Sequence, residues 1–87
     1  MEDIKKLIEQ GFELHRQGKV RRALEFYLKA ISSNSKNPNL FFLIGTAYLQ
    51  IKDFENSVIY LNKCTVLDPK NIGAQNNLGG AYQNLKK

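Results

Sequence analysis

The sequence predicts an all-α chain built from paired helices. Three observations carry that expectation: residues that recur every 34 positions, apolar spacing of three and four within each segment, and capping or breaking residues between segments. Gly11, Gly45 and Gly79 share the 34-residue register. Gly45-Thr46-Ala47-Tyr48 returns as Gly79-Gly80-Ala81-Tyr82, and Lys36-Asn37 returns as Lys70-Asn71. Leu14 holds the register of Tyr48 and Tyr82, and Leu7 that of Phe41, with polar Gln75 in the third copy. Ala23 pairs with Ser57, and Ala30 with Cys64. No stretch shows the strict alternation and tight turns of a β-hairpin.

Taken in order, the elements are five helices over about 3–17, 20–33, 38–51, 54–67 and 71–86. Ile4, Leu7, Ile8, Gly11, Phe12 and Leu14 form the stripe of the first, and Gly18 ends it in the left-handed conformation. Val20, Ala23, Leu24, Tyr27, Leu28 and Ile31 form the second, halted by Ser32-Ser33-Asn34-Ser35. Asn37-Pro38 starts the third: the amide caps it, and proline in the first turn gives up an N–H that has no helical partner. Leu40, Phe41, Ile44, Ala47, Tyr48 and Ile51 continue it. Asp53 caps the fourth, whose buried side is expected to carry Phe54, Val58, Leu61, Thr65 and Leu67. Asp68-Pro69 closes it, because the residue before proline resists the α conformation. Asn71 opens the fifth. A glycine inside a helix costs about 1 kcal/mol relative to alanine, so its recurrence implies close helix crossings at the glycine register.

Composition excludes several classes. The 87 residues are 43% hydrophobic and 24% charged, which suits one small folded domain over 1–87 rather than a disordered segment. No apolar run approaches the roughly 20 residues that a membrane-spanning helix needs. The start lacks a signal-peptide profile, so a cytoplasmic location is expected, with no membrane partner. One cysteine, Cys64, forms no internal disulfide and reads as a small packing residue; one histidine, His15, leaves a metal site without partners. The net charge is +5, yet the densest basic stretch, Arg16, Lys19, Arg21 and Arg22, spans a turn and is broken by Gly18 and Val20. Nucleic-acid binding calls for a continuous basic face, so no nucleic-acid partner is expected. No glycine loop is placed to cradle phosphate, and His15 has no evident nucleophile or acid beside it, so neither an enzyme nor a cofactor is expected.

These residues resemble the tetratricopeptide repeat family. Leu7, Gly11 and Leu14 followed by Ala23, Tyr27 and Ala30 carry the pattern in the first copy. Phe41, Ile44, Gly45 and Tyr48, then Ser57, Leu61, Cys64 and Pro69, carry it in the second, and Leu78, Gly79 and Tyr82 in the third. Ser35 stands where the family has an inter-repeat proline, Leu14 where it has tyrosine, and Gln75 where it has a bulky anchor. The resemblance implies two repeats, 4–37 and 38–71, and a terminal helix 72–87, stacked as a short right-handed solenoid.

It also implies function. In the family the first helix of each repeat lines a concave groove that binds peptides. That register assigns Ile8, Phe12 and His15 from the first repeat, and Phe42, Leu43, Thr46 and Leu49 from the second. Asn76, Asn77 and Gln83 come from the third. The groove would be apolar over its first two-thirds and rich in amides at its end. The expected role is a protein-interaction module for a peptide with apolar anchors. The alternative is an assembly unit that forms homo-oligomers by end stacking or helix exchange. Internal packing of Phe12, Phe42 and Leu43 competes with ligand contact, because helical spacing alone does not separate the faces. Some members clamp acidic chaperone tails with lysine, arginine and asparagine. Here those registers hold Ile8, Phe12, Leu43, Gly73 and Asn77, so no such tail is expected to bind.

Overall fold

The computed structural model describes residues 3–32 and 35–86. Five helices follow one another: α1 (Ile4–Arg16), α2 (Val20–Ala30), α3 (Pro38–Gln50), α4 (Phe54–Leu67) and α5 (Ile72–Leu85). Among the described residues there is no strand. α1 packs on α2, α3 on α4, and α5 closes against α4 and the flank of α3. Stacking of these layers gives an elongated body of 41 × 26 × 20 Å.

Local chemistry sets each boundary. The side chains of Asp3, Asn37, Asp53 and Asn71 accept hydrogen bonds from first-turn amides of α1, α3, α4 and α5. Asp3, Asn37 and Asn71 stand 34 residues apart, so the cap itself repeats. Gly18 takes φ +84°, and the amides of Gly18 and Lys19 donate to the carbonyls of His15 and Leu14 at 3.0 and 2.9 Å. Both bonds of a Schellman closure are therefore present. α3 ends in the same way, with Asp53 N–H to Tyr48 O at 2.9 Å, except that the left-handed residue is Lys52 at φ +65°.

The second helix is shorter than the sequence predicts. It ends at Ala30, because Ile31 turns extended (φ −81°, ψ 134°). Its half-buried side chain packs against both core clusters. The expected end at Ser33 lies outside the described residues. The remaining boundaries agree with the expected ones to within one residue.

The core has two parts. Leu7, Ala23, Leu24, Tyr27, Leu40, Ile44 and Ala47 fill the first; Phe41, Leu61, Cys64 and Ala74 fill the second. Ile31 and Tyr60 pack against both and join them. Cys64 is fully buried, as expected. Leu67, expected on the buried side of α4, is 41% exposed, because Asp68 ends the helix immediately after it and no element among the described residues covers its outer side.

Two of the three register glycines lie at tight crossings. A Cβ on Gly11 would stand 2.7 Å from the Tyr27 ring, and one on Gly45 would stand 2.6 Å from Leu61 Cγ. Across the second crossing Ser57 Oγ donates to Gly45 O at 2.8 Å, which satisfies that buried hydroxyl. Gly79 corrects the expectation of a third crossing: nothing approaches its Cβ position within 4 Å. In the first two repeats that face meets a second helix, and no such helix follows α5 among the described residues.

Candidate functional site

The sequence-assigned residues lie on α1, α3 and α5, which two polar bridges tie side by side. His15 bonds through Nδ1 to the Tyr27 hydroxyl at 3.0 Å and through Nε2 to Gln50 Oε1. The amide oxygen of Gln50 only accepts, so Nε2 is the donor in that pair, and Nδ1 pairs with the Tyr27 hydroxyl. This bond gives the fully buried Tyr27 a partner for its hydroxyl and links α1, α2 and α3. Burial pushes the Tyr27 pKa up to about 12. On the other flank Asn77 Nδ2 donates to Thr46 Oγ1 at 3.1 Å, linking α3 to α5.

Between these bridges the assigned residues divide. Phe12, His15, Arg16 and Leu43 line a shallow cleft of about 200 Å³ between α1 and α3. The Phe12 ring is 55% exposed there. Phe42 turns the other way: the edge of its ring would meet a Cβ on Gly73 at 3.3 Å, so it packs on the start of α5. Ile8 and Leu43 rest partly on the first core cluster. Leu49 is half-buried, and Asn76 and Gln83 are exposed.

Arg16 is the cation nearest the cleft, and it is already engaged. Its guanidinium donates to both carboxylate oxygens of Glu13, at 2.6 and 3.0 Å. With a further bond from Gln17, this holds the Glu13 carboxyl down at about 2. Lys19, Arg21 and Arg22 sit exposed at the turn into α2, beside Ile51. Among the described residues no group of histidine, cysteine and carboxylate side chains is placed to hold a metal ion. No helix there is long and apolar enough to cross a membrane.

Two features were missed in the sequence. Tyr27 contributes to the site through its hydroxyl; the signal was a polar tip at a register that holds Leu61 in the second copy. The other is an apolar cleft on the outside of α4, bordered by Phe41, Lys63, Val66 and Leu67. Its signal was Ile59 and Val66, where the first copy has Glu25 and Ser32.

Residues 38–71 match the tetratricopeptide repeat family. Solved structures agree over nearly the whole chain. The second tetratricopeptide domain of Spaghetti (RPAP3), bound to the HSP90 peptide SRMEEVD, superposes with a TM-score of 0.88 at 25% identity, covering 95% of this chain and 77% of that one. The chain is a tetratricopeptide repeat domain. The first such domain of Spaghetti, bound to the same peptide, gives 0.86 at 27% identity, over 94% of this chain and 65% of that one. The tetratricopeptide domain of Arabidopsis OM64 gives 0.86 at 24% identity, over 94% and 68%, and supports the fold. In sequence, protein O-mannosyl-transferase TMTC3 is 31% identical over 85% of this tetratricopeptide chain in Mus musculus and 30% over 84% in Homo sapiens. The chain spans 8% of the length of each of these transferases.

Proposed function

We propose that this repeat domain binds a peptide segment of a partner protein on the α1–α3–α5 face, with an apolar anchor seated between Phe12 and Leu43. The observation that carries the reading is the exposed Phe12 ring at the edge of that cleft. Burying an apolar side chain there returns about 25 cal/mol per Å² of surface removed from water. Asn76, Asn77 and Gln83 supply amide donors and acceptors for peptide backbone at the α5 end, and Thr46 shares in that through its bond to Asn77.

The peptide-bound Spaghetti domains support the module reading, and the ligand class proposed here differs from theirs. A carboxylate leaving water needs charged or multiple donors. On this face Ile8, Phe12, Leu43 and Gly73 offer none, Asn77 is a neutral amide with one donor already given to Thr46, and Arg16 is held by Glu13. An acidic chaperone tail therefore finds no clamp on this face. The domain acts without catalysis or cofactor, has no nucleic-acid or membrane partner, and works in the cytoplasm.

Titration with labelled peptides tests the reading. Peptides with a leucine or phenylalanine anchor should bind, and Phe12→Arg with Leu49→Arg should abolish binding while helicity is retained. Tight, salt-sensitive binding of SRMEEVD that Phe12→Arg weakens would overturn it.

A specific observation favours a second reading, assembly through the open end. α5 exposes Ile72, Tyr82 and Leu85 at 69, 45 and 43%, beside the uncovered Gly79. Stacked repeats bury each unit against its neighbours, so this face suits another repeat or another copy. Sedimentation over a hundredfold concentration range decides it; a monomer throughout rejects homo-oligomers.

A further inference from the structure

The outer face of α4 is apolar at positions whose counterparts in the first copy are polar. Ile59 and Val66, seven residues and two turns apart, are 49 and 80% exposed. Their counterparts 34 residues earlier are Glu25 and Ser32. Stacking of repeats does not account for the difference, because Ile59 and Val66 lie opposite the side that buries Ser57, Leu61 and Cys64. Beside Val66 opens a cleft of about 370 Å³, lined by Phe41, Val66 and Leu67 and flanked by Lys36 and Lys63. That volume falls in the range of about 300–1,000 Å³ typical of ligand clefts.

The charges around the cleft have one sign. Lys63 Nζ lies 5.6 Å from the Phe41 ring centre and 5.4 Å from that of Tyr60, a cation–π arrangement that holds it at the cleft edge. Among the described residues neither lysine is in an ion pair; the one ion pair there joins Arg16 and Glu13. Asp68, next in sequence to Leu67, caps the helix end and does not line the cleft. The C-terminal end of α4 contributes roughly half a negative charge, against two full positive ones.

We propose that this outer cleft of α4 is a second docking site, for an acidic peptide segment that inserts one bulky apolar side chain beside Phe41 and Val66 and lays carboxylates against Lys36 and Lys63. A second copy of the chain is a poor occupant. It would bring +5 against +5 and lysines against lysines. The cleft shares no lining residue with the one beside Phe12 and Leu43, so one domain can hold two segments at once.

The test uses blocked heptapeptides of aspartate and glutamate with a central leucine, followed by amide chemical-shift mapping on the ¹⁵N-labelled chain. Matched peptides carry serine at the centre or lysine in place of the acids. Shifts are expected around Phe41, Lys63, Val66 and Leu67, with at least tenfold weaker binding in Val66→Asp and in Lys36→Glu with Lys63→Glu. These positions are exposed, so circular dichroism should show unchanged helicity. Phe12→Arg should leave this binding unchanged, which separates failure here from failure of the first site. Equal binding of the serine or lysine peptides, shifts centred on Phe12 and Leu43, or no binding at millimolar peptide would each overturn the proposal. So would shifts at Val66 that grow with protein concentration alone, which would assign the face to self-association.

Discussion

Adding one methyl group at the same repeat register should change stability in opposite directions in the second and third copies. At Gly45 the new Cβ would sit 2.6 Å from Leu61 Cγ, 2.8 Å from Leu61 Cδ2 and 3.1 Å from Leu61 N. The nearest atom is the branch point of a fully buried side chain, and the third is backbone, so relief requires the helices to part. Overpacking of this kind costs about 1–3 kcal/mol, and contact with a branch point and with backbone puts Gly45→Ala in the upper half of that range. Alanine returns about 1 kcal/mol of helix propensity, which leaves a net loss of about 1–2 kcal/mol. At Gly79 the Cβ meets nothing within 4 Å, so Gly79→Ala keeps the propensity gain of about 0.8–1 kcal/mol.

Thermal and urea unfolding followed by helical circular dichroism read both variants. A domain of this size moves by about 4–8 °C per kcal/mol, so the melting temperatures should separate from wild type in opposite directions by several degrees. The urea slope should stay constant, which keeps the comparison one of stability. If Gly45→Ala melts at or above wild type, the α3–α4 crossing is not close. If Gly79→Ala melts below it, that face of α5 is covered in solution, which would favour association through the open end.

Three further outcomes are expected. Lys52→Gly should stabilise by about 0.5–1 kcal/mol, because Lys52 holds φ +65° where glycine is unstrained; unfolding in urea measures it. Alkali should destabilise the fold. The Tyr27 hydroxyl ionises near 10 when unfolded and near 12 when folded, so its contribution is complete below pH 10 and is lost as pH rises to 12. Tyr27→Phe should flatten that decline and cost about 0.5–1.5 kcal/mol at neutral pH, as seen in melts across pH. Burial also pushes the Cys64 thiol up, so a thiol reagent should react with it at the rate of unfolding and quickly only in denaturant.

The fold was legible because its signals are local. Asn37-Pro38, Asp53 and Asn71 act through bonds to amides three residues away, and they place three helix starts without reference to tertiary structure. The end of α2 was not legible, because Ile31 leaves the helix to bridge two clusters formed largely by other segments. The site was legible as a set of positions and illegible as a surface. Phe12 and Phe42 were both assigned to the groove from their helices' registers, yet Phe42 lies on Gly73 while Phe12 stays open. What separates them is the absent side chain at position 73 on the following helix. The three register glycines differ for the same reason. Tyr27 and Leu61 make Gly11 and Gly45 necessary, and no partner does so for Gly79. A repeat register thus transmits geometry faithfully, while the energetic meaning of each position depends on the neighbour it meets. The apolar outer face of α4 departs from the register with no neighbour among the described residues to require it, and the proposed second docking site rests on that departure.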